Sequence, residues 1–185
     1  MRPKLDISRG VSWARVKARL GGLDRADLLE LVRDLYGASL ENQAFLHARF
    51  NLGSQPLLPY QKQIARWLFP DINQDYSVAR AKAVITAYRR VPGSRAGVAE
   101  LEVFFCEQAT AFCADVALDD GAFYDALVRM FAAALRDTAG LDAPSADALW
   151  HRLDAVKAKA EDFGYGAGDG VAEAWGNALR MKPRR

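Results

Sequence analysis

Apolar residues recur three or four positions apart through most of the chain, which is the period of an amphipathic α-helix. One such stripe consists of Leu28, Leu31, Val32 and Leu35. It lies on the second predicted helix, α2, between Asp24 and Gly37, and we refer to it as the α2 stripe. Asp24 is a suitable N-cap for this helix, and Gly37 is a suitable residue to end it. No segment alternates apolar and polar residues for long enough to indicate a strand. The pattern therefore predicts an all-α protein.

The same period predicts eight or nine helices in total. Ser39 is placed to cap the helix after the α2 stripe, whose inner face is expected at Phe45, Ala48 and Leu52. Ser77 is placed in the same way to cap the helix that begins at Val78. The longest pair of stripes lies between Val98 and Leu135 and is expected to form the centre of the core. Short loops favour antiparallel neighbours, as in a bundle or in stacked helix pairs. We expect one domain over residues 1–180, followed by a frayed basic tail over residues 181–185.

Composition excludes several classes of protein. The chain has 185 residues, of which 51% are hydrophobic and 26% charged, as in a globular protein with its own core. Cys106 and Cys113 lie seven residues apart on one predicted helix, about 10 Å along its axis, which is too far for a disulfide. Because neither a signal peptide nor a membrane span is evident, we expect a cytoplasmic protein without membrane contact.

The charge is unevenly distributed along the chain. Residues 1–95 carry 16 Lys and Arg against 8 Asp and Glu, and the remaining residues carry 9 against 15. In the stretch "ARAKAVITAYRRVPGSR", Lys82, Arg89 and Arg90 fall on the polar side of a helix, and Arg95 follows. These four residues are a candidate surface for an anionic partner; the alternative is an ordinary solvated face.

Residues for catalysis or metal binding are sparse. The chain has two histidines, His47 and His151, which leaves little for a metal site or a catalytic triad. His151 shares a helical face with Asp147 and Asp154, but this spacing is also common on solvated faces. Another helix carries Glu100, Glu102 and Glu107 without the Glu-x-x-His motif of di-metal bundles. We therefore predict no catalytic, metal or cofactor site and a protein that is not an enzyme.

The segment "DFGYGAGDG" resembles a nucleotide-binding loop only superficially. Its glycines alternate and follow a helix, whereas a dinucleotide fingerprint lies between a strand and a helix. The kinase catalytic loop that would accompany Asp162-Phe163-Gly164 is absent from the sequence. We expect a structural turn formed by Phe163, Gly164, Tyr165 and Gly166. Gly164 is expected to adopt a positive φ, and Tyr165 to pack back on the central helix pair.

Four segments resemble a family of uncharacterised bacterial proteins that is known only as a domain of unknown function. They are "LLELVRDLYGASLENQAFLHARF", "ARAKAVITAYRR", "LEVFFCEQATAFCADV" and "DFGYGAGDG", within residues 24–175. The chain departs from the family pattern at Arg89 and Arg90, where Lys is typical. The resemblance implies a helical fold and no assigned activity, so no catalytic residue is carried over. It also implies that residues 163–166 matter for packing or for binding.

A helical core, an uneven surface charge and the lack of a catalytic constellation favour a protein–protein interaction or adaptor module. The alternative is a nucleic-acid-associated protein that uses the basic first half of the chain, because phosphate contacts need only Lys and Arg along a surface. No recognition helix with base-reading side chains is evident in the sequence. The oligomeric state does not follow from the sequence.

Overall fold

The computed structural model describes residues 12–50, 52–91, 95–116 and 118–181. Within these residues the chain forms nine α-helices and no strand, which confirms the predicted all-α class. The helices are α1 (Trp13–Leu20), α2 (Arg25–Ala38), α3 (Leu40–Phe50), α4 (Leu58–Leu68), α5 (Val78–Tyr88), α6 (Arg95–Asp115), α7 (Gly121–Ala139), α8 (Ala143–Ala160) and α9 (Ala167–Met181). No helix of the described residues is both long and apolar enough to cross a bilayer.

Several predicted helix ends are confirmed by cap hydrogen bonds. The Asp24 side chain accepts a hydrogen bond from the backbone N–H of Asp27 at the start of α2. Ser39 accepts one from the N–H of Asn42, and Ser77 accepts one from the N–H of Arg80. Each cap satisfies a backbone donor that the first turn of a helix leaves unpaired.

The chain divides into two compact units between Leu46 and His47. The single domain expected over residues 1–180 stays a prediction. Of the predicted tail, Met181 is the last residue of α9, and residues 182–185 lie outside the described residues.

The second unit contains the apolar core. Helix α7 packs against α6, α8 and α9, and α6 also packs against α4, α5 and α8. The central position expected for the Val98 to Leu135 pair is thus confirmed, because α6 and α7 share the most extensive contact. The largest fully buried apolar side chains are Ile64, Leu68, Leu101, Val103, Phe105, Phe123, Leu127, Phe131, Leu135, Leu153 and Val171.

The described part of the first unit, residues 12–46, buries almost no side chains. None of the residues of α1 or α2 is buried, although both helices have apolar faces. In α3 the one buried residue is Ala44. The expected inner face of this helix is wrong, because Phe45 is 38% exposed and Leu52 lies beyond the end of the helix. The periodicity locates an apolar face on a helix but does not require that this chain buries it.

Candidate functional site

The four basic residues predicted to face an anionic partner lie in different surroundings. Lys82 is partly buried on α5, and its pKa is lowered, first by burial and then by the positive charge of Arg129 on α7. Arg90 is exposed in the turn after α5, and Arg95 is the exposed first residue of α6. The structure therefore brings Lys82 together with Arg129, a residue that the sequence pattern did not single out.

Arg89 serves mainly as an internal ion-pair partner. Its guanidinium donates hydrogen bonds to Oε1 of Glu102 and, at 3.1 Å, to Oδ2 of Asp137. The side chain of Glu102 is only 1% exposed, whereas that of Arg89 is 46% exposed. Part of the predicted basic surface therefore neutralises a buried carboxylate within the protein.

Glu102 is a buried acidic residue whose negative charge is only partly neutralised by its neighbours. Its pKa is raised to about 7, first by burial and then by the like charge of Asp137, while the positive charge of Arg89 lowers it in part. Its Oε2 atom has no hydrogen-bond partner among the described residues. The charged form of Glu102 is thus held in α6 at a cost, since a buried carboxylate is stable only when it is paired.

The other two glutamates of α6 bind an arginine rather than one another. Arg152 of α8 donates two hydrogen bonds to Glu107, at 2.7 and 2.8 Å, and two at 2.7 Å to Glu100. These hydrogen bonds, those to Glu107 first, raise the pKa of Arg152. Glu100 and Glu107 lie two turns apart on one face of α6, so a single guanidinium joins α6 to α8. Within the described residues, no group of His, Cys, Asp and Glu side chains could hold a metal ion.

The glycine-rich segment is a turn between α8 and α9, but one part of its predicted geometry is wrong. Positive φ values occur at Tyr165 (56°) and Gly166 (72°), not at Gly164. The predicted packing of Tyr165 on the central pair is confirmed, because its ring stacks on Tyr124 of α7 with centroids 5.4 Å apart. Its hydroxyl also hydrogen-bonds Asp119.

Phe163 makes an edge contact with the same Tyr124 ring, at 5.8 Å between centroids. The left-handed backbone conformation therefore occurs at Tyr165, whose ring packs on α7, and at Gly166. The aromatic side chains of this turn serve packing against α7.

An apolar groove lies between α7 and α9 in the second unit. Its volume is about 390 Å³. Alanine and glycine form half of its lining, which also includes Arg136 on α7 and Glu173 on α9. The complete lining is Val128, Ala132, Leu135, Arg136, Ala139, Gly170, Glu173, Ala174, Asn177 and Ala178. We call it the α7–α9 groove.

The α2 stripe is the second unfilled apolar surface. Its exposed fractions are 36% at Leu28 and Leu31, 42% at Val32 and 51% at Leu35. At 100° per residue, Asp27 and Asp34 lie together along one side of this stripe, and we call them the acidic flank. Two apolar surfaces without partners, one convex and one concave, therefore occur on the same chain.

The sequence matches no family model, and neither a curated protein nor a solved structure matches it. The resemblance to an uncharacterised bacterial family stays a prediction. The described residues therefore define one candidate site in each unit: the α2 stripe in the first and the α7–α9 groove in the second, each with charged side chains beside it.

Proposed function

We propose that the protein is a protein–protein interaction module that binds a helical partner through the α2 stripe. The observation that carries this proposal is that none of the 14 residues of α2 is buried, although four of them form an apolar stripe. Isolated helices of this length are marginal in water, and most helices are stabilised by packing of their apolar face. A partner surface would supply that packing.

The charges beside the stripe favour protein over lipid or nucleic acid as the partner. Asp27 and Asp34 would lie next to any surface that covers the α2 stripe. An anionic lipid headgroup or a phosphate backbone would repel both carboxylates, whereas a protein can place Lys or Arg opposite them. A helical protein surface with an apolar centre and a basic edge fits these residues.

Site-specific photo-crosslinking in the native host tests this proposal. We expect a photoreactive amino acid at position 31, in the α2 stripe, to form crosslinks to protein. The matched control is position 30, which is also exposed but lies on the opposite side of α2. Crosslinks from position 31 to lipid alone, or equal yields from the two positions, would contradict the proposal.

An anionic partner at the basic face is a second candidate, because the positive charge of Arg129 acts on Lys82 and Arg90 is exposed directly after the same helix, so a phosphate there would meet several cations. If duplex DNA binds there, the logarithm of affinity should fall with the logarithm of salt concentration at about −0.9 per phosphate contacted. Lys82→Glu with Arg90→Glu should flatten that slope while sparing Arg89, which pairs with Glu102. A salt titration measures this, and an unchanged slope would leave the basic face as an ordinary solvated surface.

A further inference from the structure

The α7–α9 groove needs large apolar side chains to fill it. Half of its lining residues are alanine or glycine, and about 390 Å³ is left between the two helices. A helix that brings a row of leucines to such a groove removes apolar surface from water on both sides. The α2 stripe carries Leu28, Leu31, Val32 and Leu35 on one face of a helix without buried residues. The two surfaces are therefore complementary in shape and polarity.

The charges beside the two surfaces are also complementary. Arg136 lies at the α7 edge of the groove, and Arg129 lies two turns earlier on the same side of α7. These two residues form what we call the basic rim, and their side chains are 70% and 68% exposed. Arg136 lies 3.6 Å from Asp137 and Arg129 lies 3.6 Å from Asp125, but exposed ion pairs of this kind contribute little and can be exchanged for new ones. Asp27 and Asp34 of the acidic flank have the same seven-residue spacing, about 10 Å along each helix axis. Two aspartates can therefore meet two arginines at once.

The charges on the other side of each surface, away from the acidic flank and the basic rim, are also opposite in sign. Glu173 lies at the α9 edge of the groove. Arg25 lies on the side of the α2 stripe away from the acidic flank, by the same helical geometry. A helix that places its acidic flank along the basic rim therefore directs Arg25 toward the edge that carries Glu173.

Pairing of α2 with another α2 satisfies these charges less well. An antiparallel pair places the acidic flank of one helix against that of the other, and like charges at close range are unfavourable. A parallel pair places Arg25 near Asp27 but only Leu29 and Tyr36 near Asp34. The basic rim offers a cation to each aspartate.

We infer that the α7–α9 groove of one copy of this protein binds the α2 stripe of a second copy, with the acidic flank against the basic rim. This inference rests on the proposed function and names its partner. Because each copy has one α2 and one groove, a reciprocal exchange forms a closed dimer with two identical contacts.

Charge reversal on each side separately tests the exchange. One variant carries Asp27→Arg and Asp34→Arg, and the other carries Arg129→Glu and Arg136→Glu. All four side chains are exposed, so circular dichroism should show unchanged helix content in both variants. We expect a dimer for the wild type and, for each variant alone, a dimer dissociation constant at least about 100-fold higher by sedimentation.

Mixing the two variants in equal amounts should restore the dimer, with one copy of each as shown by native mass spectrometry. In that mixed dimer, both contacts again join opposite charges. The control is Glu30→Arg with Arg33→Glu, which reverses an ion pair on the far side of α2 and should leave the dimer intact. A monomeric wild type, a dimer that survives either variant, or a mixture that stays monomeric would overturn the inference.

The crosslink from position 31 separates failure of this inference from failure of the proposed function. A crosslink to a different protein, together with a monomeric wild type, would overturn the exchange and leave the interaction module standing. No protein crosslink at all would overturn both.

Discussion

Replacing Arg89 with Met is expected to destabilise the protein by about 3 kcal/mol at pH 8, because it leaves the carboxylate of Glu102 buried without its cation. At pH 5 the loss should be about 1 kcal/mol, since Glu102 has a raised pKa and binds a proton there with or without Arg89. Urea unfolding of wild type and variant at the two pH values measures both differences.

The sign of the pH dependence follows from the direction of the shift. The pKa of Glu102 is raised from 4.5 to about 7 in the folded state, so the folded protein holds a proton that the unfolded chain releases. The stability from this proton is fully present below pH 4.5 and is lost as the pH rises to about 7. Over that interval the wild type should lose about 3 kcal/mol relative to Glu102→Gln, whose side chain does not titrate.

The double variant Arg89→Met, Glu102→Gln is the control that separates the loss of the Arg89 charge from the change in side-chain size at position 89. It should recover most of the stability at pH 8, because a neutral amide at position 102 no longer needs a cation. Equal losses from Arg89→Met at both pH values, or parallel pH profiles of wild type and Glu102→Gln, would show that Glu102 is not the group responsible.

Gly168→Ala is expected to cost about 3 kcal/mol, because a methyl group there would overlap the backbone carbonyl oxygen of Glu161 and lie 3.0 Å from that of Ala160. Both oxygens belong to the end of α8 and its cap, which cannot move as a flexible side chain would. The urea midpoint of unfolding measures the effect.

Gly164→Ala is the matched control four residues earlier. No atom lies within 4 Å of the position that its methyl group would take, and the backbone of Gly164 is not left-handed. We expect a change of no more than about 0.5 kcal/mol. The sequence alone favoured Gly164 as the sensitive position, so similar costs at both sites would contradict the structural account of this turn.

Local features of the fold could be predicted from the sequence, because a helix is decided by neighbours three and four residues apart. Asp24, Ser39 and Ser77 act as the caps that their positions indicate. Which glycine of residues 163–166 has a positive φ could not be predicted in this way. That choice depends on where α7 holds the ring of Tyr165, and the two elements are distant in sequence.

For the charged residues too, the sequence shows which of them share a helix face, but it does not show which ion pairs they form with other helices. The polar face of α5 was evident, but the capture of Arg89 by Glu102 and Asp137 depends on the packing of α5 against α6 and α7. Likewise, three glutamates on α6 are a visible pattern, yet Arg152, which pairs with Glu107 and Glu100, lies 45 and 52 residues away from them. No spacing rule in the sequence connects helices that are so far apart along the chain.

Helix α2 illustrates a different limit. Its apolar stripe is as regular as those of the core helices, and periodicity alone cannot tell which of them a single copy of the chain buries. Complementary charges on α2 and α7 become visible only when the groove that separates α7 from α9 is known.

The burial of both cysteines has a practical consequence for labelling. Cys106 and Cys113 lie within α6 with 0% and 8% of their surface exposed. Burial raises the pKa of Cys106 well above its ordinary value and that of Cys113 to about 11, so neither forms an accessible thiolate near neutral pH. A cysteine introduced on the exposed side of α2 would thus react with a maleimide dye far faster than the native thiols. Fluorescent probes for distance measurements can be attached to the folded protein without first removing its own cysteines.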